Sequence, residues 1–161
     1  MEKYINVATG EVKVCEEVGV LKSTAIGSCV VIAACDYQKH LGIMAHIMLP
    51  GCAPSNNYDE STRYAVDAIS KMIKIVSLKG ANLCDFEVCL VGGANVLKKH
   101  NDTICEKNIE SVTRLLKEKN IPVKAAILGG TERKGISLNI KNGSFYFTEG
   151  ETKRKLLWKS A

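Results

Sequence analysis

The chain has 161 residues, 46% of them hydrophobic and 24% charged, with a formal net charge of +5. That balance belongs to a folded globular chain and excludes a disordered or fibrous one, and the length is that of a single domain, read here as 1–161. No apolar run approaches the roughly 20 residues of a membrane-spanning helix, and the opening MEKYINVATGEVKVCEE has no signal-peptide core, so a cytoplasmic protein with no direct membrane insertion is expected.

In chain order, Val12 and Val14 alternate with Glu11 and Lys13, the pattern of a strand with one solvated face, and Gly19 marks a turn beyond it. The run Cys29 to Cys35 is continuous and apolar, as in a strand buried on both faces. A polar turn over Asp36–Lys39 leads to a second such run, Leu41–Leu49, which Pro50-Gly51 ends. The two read as a hairpin at the centre of a sheet. After a polar loop, Asp59 or Ser61 is placed to cap a helix whose apolar stripe runs from Tyr64 to Val76 and which Gly80 closes. Phe86–Val91 predicts a buried strand running into Gly92-Gly93-Ala94.

A second amphipathic helix covers Thr103 to Lys119, with Cys105, Ile109, Val112, Leu115 and Leu116 inward. Val123–Leu128 is a further strand, ended by Gly129-Gly130. Ile136–Ile140 and Ser144–Thr148 flank Asn142-Gly143, a hairpin signal because both residues accept positive φ. The charged tail carries Leu156, Leu157 and Trp158, expected to dock or pair weakly. Hairpins mixed with two helices predict an α/β or α+β domain.

Seven cysteines, at 15, 29, 35, 52, 84, 89 and 105, form no Cys-x-x-Cys pair. In a reducing compartment they read as free thiols, and their spacing predicts no metal site. The basic clusters, Lys98-Lys99-His100 and Lys153-Arg154-Lys155, are short and read as solvated faces, so no nucleic acid is expected. The paired glycines do not match a dinucleotide fingerprint, and no cofactor is called for.

Two residues carry candidate chemistry. Cys29 follows Gly27-Ser28 at the start of a strand, where a glycine-containing entry lets successive backbone N–H groups face an oxyanion; it is a nucleophile or a buried structural thiol. His46 stands in an apolar run, where an unpaired imidazole is costly. It is a satisfied core histidine, or the base that takes the thiol proton. Ser23 or Thr24 is within reach to orient the ring. Asn108, on the second helix, is a surface residue or a buried one directed at the site.

Ser-Thr-Ala-Ile-Gly-Ser-Cys-Val, followed by His-Ile-Met-Leu-Pro with cysteine and histidine 17 positions apart, resembles the chemoreceptor glutamine deamidases, the CheD family. Tyr64 with Asp67 and Ala68, Gly92-Gly93-Ala94, the Asn108 helix and Gly129-Gly130 follow in that family's order. The resemblance implies a single-domain layered α/β sandwich of mixed sheet flanked by two main helices, similar to bacterial toxin deamidases. It also implies a Cys-His-Thr triad, whose hydroxyl position is Ser23 here, with Thr24 beside it. Gly27, Ser28 and Thr24 are then expected around the substrate or oxyanion. Where the family usually has an acidic residue before the second glycine pair, this chain has Ile127.

The activity implied is deamidation of glutamine side chains on the cytoplasmic helices of methyl-accepting chemoreceptors, with possible extension to glutamate methyl esters. A phosphatase of the CheC type is the other partner implied. The rival expectation is a non-catalytic adaptor that binds receptor or phosphatase through the same cleft.

Overall fold

The structure, a computed structural model, describes residues 2–55, 58–101 and 103–161, without the side chains of 58–60. Its strands are β1 (Tyr4–Asn6), β2 (Val12–Glu16), β3 (Val20–Ile26), β4 (Val30–Asp36), β5 (Leu41–Ile47), β6 (Glu87–Gly92), β7 (Val123–Leu128), β8 (Lys134–Asn139), β9 (Ser144–Glu149) and β10 (Lys155–Lys159). The helices are α1 (Ala65–Leu78) and α2 (Ile104–Glu118). The strands form two five-stranded mixed sheets, one in the order β2-β5-β4-β6-β7 and the other β1-β3-β8-β9-β10.

The first sheet is the central layer, because it has a core on each side. On one face Val30, Ile32, Ala45 and Ile47 pack with Ala68, Ile69 and Met72 of α1 and Val112 and Leu115 of α2. On the other, Val31, Ala33, Met44 and Val91 pack against Leu21, Ile136, Leu138 and Phe145 of the outer sheet. Burial from both sides is why β4 and β5 read as continuous apolar runs. The hairpin they form sits at the middle of the central sheet, as expected.

Four details differ from the sequence reading. β1 is three residues long and pairs in parallel with β3, too short for a periodic signal. β3 itself went unread because a bulge between Ser23 and Ile26 breaks its alternation. Helix α1 starts at Ala65 from an extended Tyr64, with no side-chain cap. Ser61 instead lies in a 3-10 turn and accepts the Tyr64 N–H through its carbonyl, while the side chain of Asp59, the other expected cap, is outside the described residues. At the β8–β9 turn only Gly143 takes positive φ. Asn139 pairs with Ser144 there, so the loop holds four residues rather than two.

The tail pairs as β10 against β9, and Trp158 donates its indole N–H to Glu87. No helix among the described residues is long and apolar enough to cross a membrane.

Candidate active site

The connection from β3 to β4 is Gly27-Ser28-Cys29, and every carbonyl in it is held. Gly27 accepts from the Ala94 N–H at 2.8 Å and Cys29 from the Gly93 N–H at 2.7 Å. Ser28 accepts from Asn108 Nδ2 at 2.9 Å. The approach is close enough that only glycine fits at 92: its φ is +135°, and a Cβ there would lie 2.1 Å from the Cys29 oxygen.

The bulge in β3 feeds this turn. Ala25 takes φ +55°, a left-handed conformation costing a non-glycine residue roughly 1–2 kcal/mol. With the extra residue in place, Ser23 and Ile26 both face inward, whereas strict alternation would turn Ile26 out.

His46 lies opposite Val31 in the β4–β5 ladder. Cys29 is two residues before Val31, so it falls on the same face of the central sheet, diagonal to His46, on the side turned toward the outer sheet. Ser23 comes from the outer sheet to meet them. Its Oγ is 2.8 Å from His46 Nδ1, and it donates to the Val7 carbonyl at 2.8 Å. Ser23 is 0% and His46 5% exposed.

The single hydroxyl proton of Ser23 is committed to Val7, so the bond to the ring is one in which Nδ1–H donates to Oγ. The Val7 carbonyl, 3.3 Å from Nδ1, favours the same tautomer. Nε2 is then left as the acceptor, the state a general base needs.

Burial lowers the pKa of His46, against smaller raising effects of Val7 and Glu11. Burial likewise raises the Cys29 thiol, partly offset by its own backbone N–H and by a hydrogen bond from the Thr9 side chain. Both shifts favour the neutral forms, thiol and imidazole.

A strap over residues 7–11 closes the arrangement. Gly10 N–H donates to the His46 carbonyl at 2.8 Å, and His46 N–H donates to the Glu11 carbonyl at 3.0 Å. Glu11 Oε1 accepts from the Ala8 N–H at 2.7 Å. Val7 and Thr9 were not read as site residues. Thr9-Gly10 is visible in sequence only as a turn, and nothing local ties it to a strand pair more than twenty residues away.

Thr24, grouped with the oxyanion residues in the sequence reading, stands on the opposite, exposed face of β3. There it lines a groove of about 500 Å³ with Lys22, Ser137, Tyr146 and Arg154. That groove holds none of Cys29, His46 or Ser23, and its size does not outweigh the Ser23–His46 contact on the face that Cys29 shares. His40 is exposed in the β4–β5 turn. Among the described residues no three of His, Cys, Asp and Glu cluster to hold a metal ion.

Asn108 is fully buried and reaches from α2 into the site's backbone. Its Nδ2 donates to both Ser28 O and Met48 O, each at 2.9 Å. Both partners are carbonyls, which fixes the amide orientation. Its Oδ1 has no hydrogen-bond partner among the described residues, an omission costing about 1–3 kcal/mol.

The family model for CheD, chemotactic sensory transduction, matches residues 48–149. That span begins after Ser23, Cys29 and His46, and curated relatives cover more of the chain. A Chlorobium luteolum protein named probable chemoreceptor glutamine deamidase CheD is 34% identical over 96% of this chain and 77% of its own. The Thermotoga maritima chemoreceptor glutamine deamidase CheD is 30% identical over 89% of this chain and 88% of its own. A probable chemoreceptor glutamine deamidase CheD of Methanococcus maripaludis is 33% identical over 83% and 91%. With the family model covering well over half its length and such relatives spanning most of it, this chain belongs to the CheD family.

Proposed function

We propose that the protein deamidates glutamine side chains of chemoreceptor cytoplasmic helices by cysteine catalysis. What supports the reading most directly is the Ser23 Oγ to His46 Nδ1 contact of 2.8 Å, which leaves Nε2 unprotonated on the face that Cys29 shares. His46 takes the thiol proton as Cys29 Sγ attacks the amide carbon. The C–N bond breaks, His46 returns the proton to the departing ammonia, and the acyl group remains on sulfur as a thioester. Water, activated by His46, then cleaves the C–S bond and releases glutamate with the thiol restored. Backbone N–H groups of Ser28 and Cys29 hold the oxyanion, the kind of contribution worth about 10²–10³ in rate.

The same acyl chemistry extends to glutamate methyl esters, with methanol leaving in place of ammonia. A CheC-type phosphatase is proposed as the regulatory partner at this cleft. The adaptor reading has one observation in its favour, the raised thiol pKa; a base-assisted attack needs no preformed thiolate, and the deamidase reading stands.

The test is mass spectrometry of a receptor fragment incubated with the protein, scored for Gln→Glu conversion with parallel ammonia release. Failure of every fragment to gain mass would overturn the proposal. The same assay has an expected pH profile. His46 must be neutral to act, and its pKa is lowered, so the acid limb of kcat/KM should fall below the roughly 6.5 of a free imidazole. The thiol pKa is raised, which places the alkaline limb above the roughly 8.5 of a free cysteine. An acid limb above the free-imidazole value would contradict the neutral-pair mechanism.

Ser23→Ala is expected to lower kcat by about 10–100-fold, because the ring keeps only the longer contact to Val7. Thr24→Ala, on the outer face, should stay within about twofold, and Ser23→Thr should retain most of the activity. Equal losses at 23 and 24 would remove Ser23 from its role.

A further inference from the structure

Asn108 is a conspicuous buried polar side chain that the mechanism above leaves without a task. It lies 80 positions from Ser28 and 60 from Met48, yet one amide nitrogen joins the carbonyls of both. Those carbonyls flank the two chemical groups: Ser28 immediately precedes Cys29, and Met48 follows β5 two residues after His46. One turn along α2, Ser111 Oγ accepts the Gly51 N–H at 3.1 Å, so α2 grips the end of this chain segment at two points.

The peptide bond is planar and trans, so its C=O and N–H point in opposite directions. α2 lies on the helix side of the central sheet, while Cys29 packs on the other side. A Ser28 carbonyl drawn toward α2 therefore turns the Cys29 N–H away from the helix, to the side where thiol and imidazole sit. Oδ1 has no hydrogen-bond partner among the described residues, so the amide's bonds are all made by its nitrogen to these two carbonyls.

We infer that Asn108 is a positioning residue, which by holding the Ser28 and Met48 carbonyls aims the Cys29 N–H at the oxyanion formed during acyl transfer. The inference rests on the deamidase reading for its substrate, but it concerns the acylation step of Cys29 itself and is testable apart from any receptor. Preorganised donors of this kind act only when charge develops on the acyl oxygen.

The experiment compares two reactions of Cys29 in the full chain, each followed by mass spectrometry of the Cys29 peptide. With p-nitrophenyl acetate, Sγ attacks the ester carbonyl, p-nitrophenolate leaves, and the acetyl group stays on sulfur; an oxyanion forms on the way. With iodoacetamide, Sγ displaces iodide at a saturated carbon, and no oxyanion forms. Asn108→Ala is expected to slow acetylation about 10–100-fold while leaving alkylation within about threefold. With a receptor fragment it should lower kcat and spare KM.

Equal slowing of both reactions would mean that the loop has merely come apart and would overturn the inference, as would unchanged acetylation. Should Asn108→Ala fail to fold, Asn108→Thr keeps similar volume and one donor, and is expected to fall between wild type and that loss. Wild-type protein that is acetylated at Cys29 with the Asn108 dependence, yet converts no receptor glutamine, would refute the substrate reading and leave this inference standing.

Discussion

Cys29→Ala is expected to lower ammonia release from a receptor fragment by at least about 10³-fold, because the covalent route is lost and only binding and oxyanion contacts remain. No other thiol is placed to substitute. Cys35 and Cys89 lie in the core between the two sheets, where burial pushes each pKa up to about 12. Cys15 is buried in that same layer, and Cys105 is buried on α2. Cys52 and Cys84 are exposed. Neither has a hydrogen bond to His46 among the described residues, so replacing both with serine should leave activity within about twofold. Trapping of a thioester adduct by mass spectrometry provides the independent readout. Ammonia release that survives in Cys29→Ala would place the nucleophile elsewhere.

Gly92→Ala is expected to show the largest effect on stability among the positions around the site. An alanine there meets two penalties. Its φ of +135° is a region that L-residues rarely enter, and its Cβ would lie 2.1 Å from the Cys29 oxygen and 2.9 Å from Ile26. Backbone strain and forced overpacking together suggest a loss of about 2–5 kcal/mol, against a total stability of about 5–15 kcal/mol for a domain. A urea midpoint well below wild type, with activity lost even where the variant stays folded, is the expected result. Gly51→Ala offers a contrast: φ is again positive, but a Cβ there would meet nothing within 4 Å, so the cost is strain alone. Equal midpoints for the two variants would show that the close approach at 92 carries no weight.

How much of this was legible in the sequence follows from what kind of contact each feature depends on. The β4–β5 hairpin was readable because burial on both faces writes itself as an unbroken apolar run. Both helices were readable from their stripes, although α1 begins later than its polar residues suggested, since Leu49 and Tyr64 bridge and the turn before it is 3-10. The choice between Ser23 and Thr24 was not readable from residue types, because a hydroxyl on either face of a strand looks the same in sequence. Ser23 rather than Thr24 meets His46 because of which face of β3 the outer sheet turns inward, and the bulge at Ala25 hides that face from any period-two test. Val7 enters through its carbonyl, an atom every residue possesses, so no residue type marks it. Asn108 was visible as a polar interruption on an apolar helix, but whether it faced solvent depended on α2 packing over the start of β4.

The strap over 7–11 has a further consequence, for the order in which the molecule matures. Cys29 and His46 belong to one hairpin, whose strands are joined by a four-residue turn at 37–40, a unit able to close in about 1–10 μs. The groups that hold the imidazole lie further away in sequence, Ser23 at 23 positions and Val7 at 39 from His46, while Asn108 reaches Ser28 across 80. Contacts of that separation form late, since loop closure must be met before they contribute. Val7 and Ser23 precede His46 in synthesis, so among these groups only Asn108 leaves the ribosome after the thiol and imidazole. On the proposed mechanism, the Cys29 N–H is therefore aimed only once α2 has docked over the start of β4.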